Sequence, residues 1–143
     1  MTEVARIQKL LGGESVTGPL NNDLDVVLLV RRGVPTEAVD SLLAQSHLSF
    51  SSIEPYVLPR RTFKRRQEMR QPLDPAESDR LLRLARIVVA AEETFGDMDK
   101  ALTWLNRGNR TLGGLSPLSL ADTDLGVRSV ENLLGRISHG LAA

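Results

Sequence analysis

The chain has 143 residues, 41% of them apolar, 25% charged and 3% aromatic, with a formal net charge of zero. That is enough for one domain or two small ones, with a core of Leu, Val, Ile and Ala that leans towards helices. The absence of cysteine excludes disulfides, a thiol nucleophile and a Cys-ligated metal, and no apolar run approaches the roughly 20 residues that cross a bilayer.

In chain order, Thr2 caps a first helix carrying Val4, Ile7 and Leu11 on one face, stopped by Gly12-Gly13. Residues 12–22, rich in Gly, Ser, Thr and Asn, read as a linker that leaves this helix loosely attached. Leu24 to Arg32 is apolar enough for a strand, but Gly33 closes it and its neighbours are helical, so a helix is expected. Pro35-Thr36-Glu37 opens the next helix, with Val39, Leu42 and Leu43 inward. Ser49 or Ser51 caps a short helix through Tyr56, and Val57-Leu58-Pro59 makes a turn.

A basic helix then runs from Pro59, at its first position, to about Arg70, and Pro72 breaks it. Asp74-Pro75-Ala76-Glu77 is a strong start signal for a long helix with Leu81, Leu84, Val88, Ala91 and Phe95 in helical period, ended by Gly96. Asp97 caps a helix with Met98, Ala101, Leu102 and Leu105 inward and Trp104 beside them, ended by Gly108-Asn109. A glycine-rich loop and a single turn at Ser116-Pro117 follow. Thr123 caps the last helix, with Val127, Val130, Leu134 and Ile137 as its buried stripe and Gly140 as its stop. The chain reads as all-α, in two lobes joined by the helix after Pro72.

Six of the eighteen basic residues lie between positions 60 and 70: Arg60, Arg61, Lys64, Arg65, Arg66 and Arg70, with one acid, Glu68, among them. The rest of the chain is therefore net acidic. Such a run is commonly just a solvated face, but packed like charges repel and favour an anionic partner. A short helix, a tight turn and a basic helix are also the layout of a helix-turn-helix. Arg60, Arg61 and Thr62 stand at the end that enters a groove, with Lys64, Arg65 and Arg66 behind them, and Phe63 anchors the helix. Neutralising about five phosphates gives a log–log salt slope near −4 to −5.

Other motifs favour plain readings. Gly108-Asn-Arg-Thr-Leu-Gly-Gly follows a helix, not a strand, and lacks the Gly-Lys-Ser/Thr ending of a phosphate loop, so it reads as a turn. His47 and His139 have no metal-ligand spacing, and no carboxylate pair stands out as an acid/base site. Neither an enzyme nor a cofactor is expected. The start lacks a secretory signal, which fits the cytoplasm. Leu141-Ala142-Ala143 after the last helix reads first as a frayed end.

Several motifs stand together in order: Arg61-Thr-Phe-Lys-Arg-Arg, Glu77-Ser-Asp-Arg-Leu, Ala101-Leu-Thr-Trp-Leu-Asn, Leu112-Gly-Gly-Leu-Ser-Pro-Leu and Val130-Glu-Asn-Leu-Leu-Gly-Arg-Ile-Ser-His-Gly. As a series they resemble the Xre/MbcA/ParS antitoxins of bacterial RES–Xre toxin–antitoxin pairs, over roughly residues 24–143. Phe63 stands where the family usually has Leu. The resemblance implies an N-terminal helix and linker (1–22), an Xre-like helix-turn-helix DNA-binding domain (23–72) and a toxin-binding domain (73–143). It implies as partner a RES-domain toxin that depletes NAD, whose NAD pocket the antitoxin's end occludes, and an operator that the complex represses. By position the plug is Gly140, Leu141, Ala142 and Ala143, with Arg136 and His139 near the mouth. A homodimer and a hetero-oligomer with toxin are expected, with no membrane association. The competing expectation is a stand-alone transcriptional regulator, and after it an adaptor whose basic helix meets RNA or an acidic protein.

Overall fold

Local signals at the helix starts decide much of the architecture in the computed structural model, which describes residues 1–140. Among those residues there are helices and no strands. Thr2 Oγ1 accepts the Ala5 amide at 3.0 Å to start α1 (Glu3–Leu10). Ile7, Leu10 and Leu11 of this helix and its end are buried, and α1 packs on the long helix described below.

The segment after α1 is not a loose linker. Glu14–Thr17 forms a helical turn, α2. Its Thr17 and the following Leu20 are buried. Gln8 donates to the Gly18 carbonyl at 2.9 Å and Arg32 donates to the Thr17 carbonyl at 2.6 Å, so both neighbouring helices hold it. Short polar residues gave the sequence a linker's composition, but here their backbone carbonyls are the pinned groups.

The apolar run is helical, as α3 (Asp23–Arg32), with Asn22 Oδ1 capping Asp25 at 2.9 Å. Gly33 ends it at φ 96°. A Cβ at Gly33 would lie 2.5 Å from the Leu73 carbonyl oxygen, while Leu73 donates its amide to Val34 at 2.9 Å. Only glycine allows that approach at that φ. Helix α4 (Glu37–Ser46) buries Ala38, Val39 and Leu42 and ends on His47 in the left-handed region, φ 64°.

Ser49 caps α5 (Phe50–Ile53), three residues shorter than expected. Pro55 has no N–H to continue the ladder, so residues 54–56 leave it as a turn. The basic helix α6 is Arg60–Glu68. Pro59 stands just outside it as the extended N-cap (ψ 147°), and the helix stops at Met69, before the left-handed Arg70 (φ 53°), not at Pro72.

The capping box at Asp74 and Glu77 forms as expected and opens α7 (Pro75–Phe95), 21 residues ending on left-handed Gly96. It is the central element: α1, α3, α8 (Met98–Asn106) and α9 (Asp124–Ser138) all pack on it. Leu81, Leu84, Ile87 and Val88 are fully buried on it. One hydrophobic cluster runs from Ile7 through Leu42, Ile53 and Phe63 to Leu105 and Leu134. The long helix thus supplies core to both parts of the chain rather than serving as a bare connector between them.

Candidate nucleic-acid interface and toxin-binding end

On α6 the single large apolar residue, Phe63, is buried against Phe50 of α5, ring centroids 5.2 Å apart. That fixes which way the helix turns its other residues. Arg61, Lys64 and Arg65, spaced i, i+3 and i+4, point to solvent and form no ion pair among the described residues. Arg60 lies over the Phe50 ring at 4.7 Å, and its backbone amide donates to Glu54 Oε2 at 2.7 Å. This carboxylate takes the place of a side-chain cap at the helix start. Thr62 is half-buried beside them, and Arg70 is exposed on the turn after the helix.

Arg66, counted in the sequence among the outward cations, turns the other way. Its guanidinium lies 3.1 Å from Glu77 and 3.4 Å from Asp74, and its side chain is only 20% exposed. Glu77 itself is 6% exposed, the one buried acid among the described residues. Arg66 therefore ties α6 to the capping box of α7, and its charge is used inside the fold. The positive surface is Arg60, Arg61, Lys64 and Arg65.

At the other end of the chain, Thr123 Oγ1 caps α9 through the Gly126 amide at 3.0 Å. Arg86 of α7 holds its flank, 2.7 Å from Glu131 and 3.5 Å from Asp124. Ser138 reaches Thr94 at 3.3 Å, which brings the last turn of α9 beside the last turn of α7. Arg136, His139 and Gly140 are exposed there. The His139 ring bonds the Gly135 carbonyl at 2.7 Å, an interaction with the helix's own last turn. Leu141, Ala142 and Ala143, the rest of the expected plug, lie outside the described residues.

Next to this end the structure places a pair that the periodicity had put in the core stripes. Phe95 and Trp104 are half-buried with ring centroids 5.6 Å apart and planes tilted by 49°, forming a shallow surface with Asp99, Lys100, Thr103 and Arg107. The signal available beforehand was that this is the chain's one Trp, a residue type favoured at interfaces. The glycine-rich loop is a turn: Asn109 and Leu115 close it at 3.0 Å, and Gly113 and Gly114 take positive φ.

Residues 25–86 match the antitoxin Xre-like helix-turn-helix domain, and residues 90–140 match the antitoxin Xre/MbcA/ParS C-terminal toxin-binding domain. An antitoxin Xre from Photorhabdus laumondii is 32% identical over 137 residues, covering 94% of this chain and 89% of that protein. An antitoxin Xre from Pseudomonas putida is 42% identical over 84 residues, 59% of this chain, and the match spans 53% of that protein's length. A protein from Sphingobium named Prs ADP-ribosylating antitoxin is 27% identical over 133 residues, 84% of this chain and 82% of its own. A basic helix set on a helical scaffold, followed by a second helical region, is thus accounted for as one arrangement: the chain belongs to the Xre family of antitoxins, with a helix-turn-helix domain and a toxin-binding domain.

Proposed function

We propose that this antitoxin grips operator DNA with Arg60, Arg61, Thr62, Lys64 and Arg65, and silences a RES-domain, NAD-depleting toxin with the end of α9. In the cytoplasm, the antitoxin, as a homodimer, and its complex with toxin repress their own promoter. Residues 140–143 close the toxin's NAD pocket, with Arg136 and His139 at its mouth.

The observation that carries the DNA half is the row Arg61, Lys64, Arg65, exposed and without acid partners among the described residues. A row of cations left without internal partners is complementary to phosphates along a groove. The toxin half is supported by the exposed cluster Arg136, His139 and Gly140, which projects where α7 and α9 end together. A short run of small apolar residues such as Leu141, Ala142 and Ala143 loses little side-chain freedom when it inserts.

The test is co-expression with a RES-domain toxin, scoring growth and cellular NAD. Deleting residues 141–143 restores toxicity while complex formation is largely kept. Full protection by the truncated chain would place inhibition on the Phe95–Trp104 surface instead. The name of the Sphingobium relative supports a second NAD-consuming chemistry. A toxin that transfers ADP-ribose would leave label on a target protein, whereas a depleting toxin would leave none. Persistent growth arrest in neither case, with operator binding intact, would point to a stand-alone regulator.

A further inference from the structure

Helix α3 has two apolar faces where its position in the core needs one. Leu29 is buried, and Val26 and Val30 pack beside it against the core. Leu24, Val27 and Leu28 are 63%, 43% and 44% exposed. With Arg31 they follow at i, i+3, i+4 and i+7, a straight row along the opposite side. Single exposed leucines are ordinary, but three large apolar residues aligned on a ten-residue helix form a patch that calls for a cover.

The charges at the two ends of α3 identify the cover. Its first turn carries Asp23 and Asp25, its last turn Arg31 and Arg32. Arg32 is tied back to the Thr17 carbonyl, whereas Arg31 is exposed and has no ion pair among the described residues. A second α3 laid antiparallel about a two-fold axis between positions 27 and 28 sets Leu28 against Val27. It rests the Arg31 stem on Leu24 and brings the guanidinium to Asp23 and Asp25 of the other copy. The helix dipoles then oppose, and each end meets its opposite charge, twice by symmetry. A parallel pairing would set acid on acid.

Other covers fit worse. The toxin-binding match begins at residue 90; its α9 comes beside α3 at Glu131, which shares a cleft with Asp23 and Val27, whereas Leu24, Leu28 and Arg31 do not line that cleft. An apolar row that starts in two aspartates repels phosphate backbone and lacks the basic flank of a membrane-surface helix.

We propose that Leu24, Val27, Leu28 and Arg31 form the seam of a homodimer in which α3 packs antiparallel on α3 of a second copy of this chain. This deepens the dimer in the operator reading by giving it an interface. Its test needs neither DNA nor toxin, so failure of either of those readings is distinguishable from failure of this one.

Sedimentation velocity of the full chain at graded concentration gives the dimer dissociation constant. Leu28→Glu, an exposed site twice present in the seam, weakens dimerisation by about 100-fold or more at unchanged helicity. Arg31→Glu weakens it by about 10-fold, and Arg31→Lys keeps most of it. The chain has no cysteine, so Leu28→Cys gives a disulfide-linked dimer on mild oxidation, whereas Leu115→Cys, somewhat more exposed, does not. A monomeric wild type at high concentration, an unaltered dimer in Leu28→Glu, or no Leu28→Cys cross-link overturns the proposal.

Discussion

Arg65 and Arg66 are adjacent and chemically identical, yet one faces solvent and the other lies against the buried Glu77. Truncating Arg66 to Ala leaves a buried carboxylate without its cation. It is expected to destabilise the fold by about 1–3 kcal/mol in urea titration. Arg61→Ala and Arg65→Ala are each expected to change stability by no more than about 0.5 kcal/mol, while weakening operator binding singly, abolishing it together, and sparing neutralisation. Equal loss of stability in all three would put the outer arginines into the fold as well.

Glu3 shows the reverse situation. Partial burial, then the nearby Glu131, raise its carboxyl above the ordinary value of 4.5; Asp23 and Glu93 add to this, and Arg86 offsets part of it. A carboxyl raised in the folded state binds its proton more tightly there, so its charge weakens the fold at neutral pH. Glu3→Gln therefore raises the melting temperature at pH 7. The gain is present above the folded pKa and disappears as pH falls to about the unfolded value, 4.5.

At the scale of elements, the turn between α3 and α4 depends on backbone rather than side chains. Gly33 stands at φ 96° with the Leu73 carbonyl where a Cβ would go. The Val34–Leu73 hydrogen bond of 2.9 Å locks the two strands of chain together. Gly33→Ala has no flexible neighbour to push aside, since the obstacle is a carbonyl. It is expected to cost roughly 2 kcal/mol or more, read as a lower urea midpoint with unchanged slope. Because this contact joins the start of α4 to the loop before α7, the variant also disturbs the seating of α6 and lowers DNA affinity in step with stability.

For the whole molecule, the buried cluster that α7 organises lets one small protein keep a basic helix and a toxin-binding domain on the same scaffold. With Arg66 internal, about four cations per copy remain to meet phosphates. That gives a salt slope near −3 to −4 for one copy and about twice that for a dimer on two half-sites. Operator titrations between about 50 and 200 mM salt measure it. Arg65→Ala should reduce the slope by about one per copy, and no change would exclude that arginine from phosphate contact.

Helix starts and types were legible because their causes lie within four or five residues of chain, whereas α5 and α6 end earlier than expected. The Asp74–Glu77 capping box, Thr123 and Gly96 all act over one turn, and each stands where the sequence placed it. What the sequence could not decide was direction and depth across long separations. Arg66 meets an acid eleven residues away, and Thr17 is held by an arginine fifteen residues on. Which of the two apolar faces of α3 is left outside depends on where α7 lies. Periodicity records which residues share a face. It does not record what that face meets, because partner, burial and charge pairing are set only when distant segments pack.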